Sequence, residues 1–209
     1  MTRHPDPAPG PGAGAAPTAR RLRVEGALEI SPPVFSDARG LVAVPFRDDD
    51  LVRLGAPSLR VAQTVHSRSE RGTVRGVHFT VAPPGGAKYV HCAHGAALDA
   101  VVDLRTGSPT FGLWDTVRLD PRRNLAVYVP VGVGHAFLAL EPDTVLTYLL
   151  STPYVPETEA AVSVLDPRIG LPFGDVDPDG LSERDRRAPT LGEAARTGAL
   201  PDYGWCARR

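Results

Sequence analysis

The chain has 209 residues, a formal net charge of −1 and a sequence pI near 6.6, with 42% hydrophobic and 22% charged residues. That balance fits a globular protein with one substantial core and excludes bulk electrostatic attraction to nucleic acid or to an anionic membrane. No apolar run approaches the roughly 20 residues a membrane helix requires, and the N-terminus lacks the apolar core of a signal peptide.

Residues 1–20 are dominated by Pro, Gly and Ala, with Pro5, Pro7, Pro9, Pro11 and Pro17 interrupting any regular element. Such a segment buries too little apolar surface to offset its ordering entropy, so a disordered tail is expected over 1–20 and a single folded domain over 21–209. From there to about residue 170 the chain reads as short strands and turns. Val61–Val65, Lys88–Cys92, Leu125–Val129 and Val145–Leu150 are rich in branched and aromatic residues, and Leu98, Ala100, Val102 and Leu104 alternate with Asp99, Val101 and Asp103. Breakers separate these runs, among them Pro83-Pro84-Gly85-Gly86, Gly107-Ser108-Pro109 and Pro142-Asp143. Many short strands so punctuated predict an antiparallel sandwich or barrel of jelly-roll type. Toward the C-terminus, Ser182 precedes Asp185 by three residues and Thr190 precedes Glu193 by three. This spacing predicts two short N-capped helices that cover an open side of the sheet. The two cysteines, Cys92 and Cys206, have neither metal-type nor framework spacing, which points to reduced thiols and a cytoplasmic protein.

The stretch that carries most chemistry is Arg75-Gly76-Val77-His78-Phe79, followed ten positions after His78 by Lys88, the only lysine in the chain. Lysine offers a compact charge that can approach a developing oxyanion, and histidine titrates near neutrality, so the two make a candidate catalytic pair. Pro130-x-Gly132-x-x-His135 resembles the second signature of the cupins, the double-stranded β-helix proteins. Six histidines invite a metal reading, but no histidine pair one residue apart with a following glutamate accompanies His78. No metal and no other cofactor is therefore expected.

Taken together, Phe35-Ser-Asp-Ala-Arg-Gly40, His66-Ser67, Arg75 to Phe79, Ala87-Lys88, Asp103 to Gly112, Pro130 to Phe137, Asp166-Pro-x-Ile-Gly170 and Leu181 to Leu191 resemble the dTDP-4-dehydrorhamnose 3,5-epimerases in order and approximate spacing. The resemblance implies a mainly β, cupin-type jelly roll with short C-terminal helices. It also implies an isomerase that inverts C3, C5 or both in a dTDP-4-keto-6-deoxyhexose through an enolate, in deoxysugar biosynthesis of the kind that includes antibiotic sugars. Such a reaction needs a base, an oxyanion stabiliser and an acid on the opposite face. By resemblance these are His78 held by Asp166, then Lys88, then Tyr148. Phe35, Arg39, Gln63, Arg75, His135 and Tyr154 match substrate-binding positions, the two arginines facing the diphosphate. A homodimer is implied as well. Where the family usually has polar groups, this chain has Val65, Val145, Leu149, Val164 and Leu165, and His91 replaces an arginine. Their loss fits a tailoring enzyme that acts on a deoxygenated sugar or inverts a single centre. A sugar-nucleotide 3,4-ketoisomerase and a non-catalytic sugar-nucleotide-binding cupin are the alternatives.

Overall fold

A computed structural model describes residues 16–209 of the chain. Its strands are β1 (Thr18–Arg21), β2 (Leu28–Ser31), β3 (Val34–Asp37), β4 (Gly40–Ala43), β5 (Gln63–Ser69), β6 (Val74–Thr80), β7 (Lys88–His94), β8 (Ala97–Asp103), β9 (Trp114–Leu119), β10 (Ala126–Val129), β11 (Val133–Ala139), β12 (Thr144–Leu150) and β13 (Glu159–Ala161). The α-helices are α1 (Asp48–Arg53), α2 (Glu183–Arg186), α3 (Leu191–Arg196) and α4 (Tyr203–Cys206).

Two antiparallel sheets face each other, one in the order β1-β2-β10-β7-β12-β5 and the other β13-β6-β11-β8-β9. Strand neighbours that are distant in sequence, such as β7 between β10 and β12, give the jelly-roll winding read from the sequence. The central core draws on both sheets: Val90 and Cys92 of β7 and Leu146 of β12 meet Val101 of β8 and Phe137 of β11. A second apolar layer, including Ala100, Val102, Val162, Phe173, Leu191 and Leu200, lies between the five-stranded sheet and the C-terminal segment. A third, with Leu51, Leu59, Tyr89 and Tyr128, seats α1 and its flanks on the outer face of the six-stranded sheet.

The N-terminal expectation changes. The strand framework starts at Thr18, inside the stretch read as tail, because Thr18–Arg21 pairs with Ser31–Leu28 and Arg20 forms ion pairs with Glu29 (2.6 Å) and Asp115 (3.7 Å). The remainder of that tail, residues 1–15, lies outside the described residues. His91 and His94 both belong to β7, the first partly buried and the second exposed. Helix α1, not foreseen, opens with Asp48, Asp49 and Asp50, which suit the positive end of the helix dipole, and buries Leu51.

The polarity of β8 also runs opposite to the simple reading. Its apolar row, Ala100, Val102 and Leu104 with Leu98 partly buried, faces the C-terminal layer. Asp99 and Asp103 are buried on the interior side, at 1% and 0% exposure. Asp103 is satisfied there by Arg105, Ser108 and Thr110. Among the described residues no helix is long and apolar enough to cross a membrane.

Candidate active site

A cavity of about 230 Å³ opens between the two sheets. The six-stranded sheet supplies Val65 and Ser67 from β5, Lys88 from β7, and Tyr148 and Leu150 from β12. The five-stranded sheet supplies Arg75, His78 and Thr80 from β6, His135 and Phe137 from β11, and Glu159 from β13. Arg184 of α2 closes one side. His78 and Lys88 thus belong to different sheets and meet across the sandwich, rather than standing on neighbouring strands.

Alternation would send Arg75 and His78, three residues apart, to opposite faces. A bulge corrects this: His135 pairs with His78 and Phe137 with Arg75, so three residues of β11, 135–137, oppose four of β6, 75–78. Gly76 makes the bulge feasible. It has φ +124°, and a Cβ there would lie 2.5 Å from the Ala136 Cβ and 2.6 Å from the His135 carbonyl oxygen.

His78 is partly buried, and its Nε2 lies 2.5 Å from Asp185 Oδ1. Burial lowers the His78 pKa; Asp185 opposes that, while Arg184 and Lys88 reinforce it. Asp185 is pushed up by burial, but the hydrogen bond and charge of His78, with Ser182 and Arg184, hold it below the ordinary carboxylate range. A carboxylate beside a neutral imidazole follows: Nε2–H donates to Asp185, which leaves Nδ1 as the proton acceptor. Arg184 Nη2 stands 3.2 Å from the same Nε2 and cannot accept a proton, so its effect there is that of a nearby positive charge.

Asp166 does not hold His78. It is buried, and both its oxygens serve the backbone, Oδ1 accepting from the Arg168 amide at 2.9 Å and Oδ2 from the Leu191 amide at 2.7 Å. The motif Asp166-Pro167 is therefore a structural clasp between the turn and the start of α3. The carboxylate at the base comes instead from α2, whose N-cap Ser182 accepts from the Asp185 amide at 3.1 Å. The capping signal placed that helix correctly, but it did not reveal that the side chain at its third position turns toward a histidine 107 residues away in sequence. Helix α2 is thus more than cover for the sheet.

Lys88 is the cavity's β7 cation; burial lowers its pKa, Glu159 opposes this and Arg184 adds to it. Glu159 accepts from Thr80 Oγ1 at 2.7 Å. Tyr148 faces the cavity, with its pKa raised by burial and by Asp99 and lowered by Ser67 and Arg75. His135 is buried beside it, the rings edge to face at 5.6 Å, and its Nε2 lies 2.6 Å from Asp99 Oδ1. Arg75 Nε donates to Ser69 Oγ at 3.2 Å. Tyr154 lines the mouth, and its amide donates to Gln63 Oε1 at 2.6 Å, which puts Gln63 one hydrogen bond behind the wall.

Phe35 and Arg39 are not among the lining residues. They belong to the separate β3–β4 hairpin, where Arg39 pairs with Asp37 at 2.5 Å. Of the histidines, His66 bonds to Thr147 and His94 to the Asp143 carbonyl, away from the cavity. Among the described residues no group of three or more His, Cys, Asp or Glu side chains is placed so that it could hold a metal ion.

His78 with its carboxylate, Lys88 and Tyr148 surround one cavity inside a cupin-like jelly roll, an arrangement that suits a proton-transferring isomerase. Residues 21–193 match the dTDP-4-dehydrorhamnose 3,5-epimerase family. Over 189 residues the chain is 44% identical to a dTDP-4-dehydrorhamnose 3,5-epimerase of Mycolicibacterium smegmatis, covering 90% of this chain and 93% of the relative. The structure of NovW, a 4-keto-6-deoxy sugar epimerase from the novobiocin biosynthetic gene cluster of Streptomyces spheroides, superposes with a TM-score of 0.86 at 44% identity, over 92% of this chain and 96% of that one. ChmJ, a 3'-monoepimerase from Streptomyces bikiniensis solved with dTDP-quinovose, gives 0.83 at 46% identity, over 90% and 94%. The chain belongs to the dTDP-4-dehydrorhamnose 3,5-epimerase family.

Proposed function

We propose that this enzyme epimerises a dTDP-linked 4-keto-6-deoxyhexose at C3, C5 or both through an enolate, as a tailoring step in deoxysugar synthesis. The observation that carries the proposal is the His78–Asp185 pair facing Lys88 and Tyr148 across one cavity. The C4 carbonyl acidifies the hydrogens at C3 and C5. His78 takes one of them as a base whose lowered pKa keeps it neutral near pH 7, and Asp185 supports the imidazolium that results. Lys88 sits beside the oxygen that gains charge, and Tyr148 returns a proton to the opposite face of the carbon. Arg75, at the cavity wall, takes a diphosphate oxygen, and Tyr154 packs at the nucleotide end.

Phe35 and Arg39 fit this reading if they come from a second copy. Among the described residues the β3–β4 hairpin pairs with no other strand, and its Leu41 and Val42 are 51% and 65% exposed, an apolar surface suited to burial against a partner subunit. A homodimer, with each hairpin reaching the other's cavity, is thus part of the proposal; sedimentation of the chain as a monomer at micromolar concentration would remove it. A cytoplasmic setting accords with two buried, unbridged cysteines.

The test is incubation with dTDP-4-keto-6-deoxyglucose in D2O, followed by NMR. Deuterium at C3 and C5 supports double inversion, and at C3 alone a single-centre enzyme. Binding without exchange at either carbon favours the non-catalytic alternative.

A further inference from the structure

Ser67 presents a hydroxyl with no work assigned to it. It is part of edge strand β5, which among the described residues pairs only with β12, and in that register Ser67 opposes Leu146 while Val65 opposes Tyr148. Ser67 and Tyr148 are therefore diagonal neighbours on the inward face, within reach of an aromatic side chain. Both line the cavity. Ser67 Oγ is closed off from solvent, among the described residues it makes no hydrogen bond of ordinary geometry, and Tyr148 is the side chain it acts on as a hydrogen-bonding neighbour. A buried hydroxyl without a partner costs stability, and so calls for a reason.

Tyr148 supplies one. When a tyrosine gives its proton to carbon, its oxygen becomes a phenolate in a site where burial and the Asp99 carboxyl both disfavour negative charge. Ser67 and Arg75 are the neighbours that act the other way. Arg75 does so through its charge, with its Nε already donating to Ser69. Of these two neighbours, Ser67 offers an O–H not committed to another group among the described residues, and its Oγ is shielded from solvent.

We propose that Ser67 is a positioning residue for Tyr148: its hydroxyl orients the phenol toward the sugar and donates a hydrogen bond to the phenolate formed when Tyr148 releases its proton. The O–H bond of Tyr148 breaks as the new C–H bond forms on the enolate carbon. Ser67 keeps its own proton throughout, and solvent restores the phenol after product leaves. The inference rests on the reading of Tyr148 as the acid. It assigns Ser67 to the reprotonation half of the reaction and not to proton abstraction by His78.

The two halves are separable in D2O, where substrate exchange reports abstraction and epimer formation reports reprotonation. Ser67→Ala is expected to keep exchange within about twofold while epimer formation falls roughly tenfold, the scale of one hydrogen bond to a charged oxygen. Ser67→Thr, which keeps the hydroxyl, should restore it. In a Tyr148→Phe background Ser67→Ala should add nothing, because the group it serves is gone. Equal loss of exchange and epimer formation, or an unchanged ratio, would overturn the assignment of Ser67. If Tyr148→Phe itself left epimer formation intact, the acid reading would fall first and Ser67 with it.

Discussion

Two histidine–carboxylate pairs sit side by side, His78 with Asp185 and His135 with Asp99, their histidines directly opposite one another on β6 and β11. The distances are nearly equal, 2.5 and 2.6 Å. What differs is the surroundings. His78 reaches the cavity beside Arg184, and its carboxylate stays ionised. His135 and Asp99 are 4% and 1% exposed, burial pushes the Asp99 carboxyl up, and its second oxygen has no partner. Two groups that look alike in a sequence thus divide into the proposed base and its support on one side, and on the other a packed wall against which the Tyr148 ring rests.

The sharpest way to break this contrast is to remove the base. His78→Asn should lower solvent exchange and epimer formation together by about 10²–10⁴-fold, the range of a lost general base. A rate within tenfold of wild type would show that proton abstraction belongs elsewhere, His135 included. Next in size is Asp185→Asn, which takes the tautomer support from His78 and should cost about 10²-fold or more in kcat with the fold intact by circular dichroism.

His135→Gln tests the other pair and should mainly cost stability. With Asp99 left buried and its ring partner lost, about 3 kcal/mol is expected, a fall in Tm of about 6–12 °C. Equal damage to catalysis and stability there would blur the division drawn between the pairs. The smallest effect is a pH shift. Because the neutral imidazole is the base and its pKa is lowered, the acid limb of kcat/KM should fall below about 6.5, with activity lost as pH drops through it. Arg184→Gln removes a charge that disfavours imidazolium and should move that limb upward. A limb that stays in place would show that Arg184 does not tune the base.

The strands and the jelly-roll winding were legible because β-rich runs alternate with Pro and Gly breakers, and the capping spacings at Ser182 and Thr190 located α2 and α3. His78, Lys88, Arg75, His135, Tyr148 and Tyr154 were all legible as lining residues through the family pattern. The identity of the supporting carboxylate was not. Asp166 and Asp185 are both buried acids in short C-terminal motifs, and only the packing of α2 against β6 shows which one turns to His78. Asp99 and Asp103 were legible as one side of an alternating strand but not as interior groups, since alternation reports two faces but not which one the C-terminal segment covers. Phe35 and Arg39 were legible as a motif but not as a place, because their hairpin stands apart from the cavity within one chain.

The two C-terminal aspartates give the most direct test of the account. Deuterium exchange into dTDP-4-keto-6-deoxyglucose should be measured for Asp185→Asn and Asp166→Asn under identical conditions. The account predicts that Asp185→Asn loses exchange by about 10²-fold or more, whereas Asp166→Asn exchanges within about twofold of wild type and loses about 1–2 kcal/mol of stability. Exchange abolished by Asp166→Asn and preserved by Asp185→Asn would contradict it.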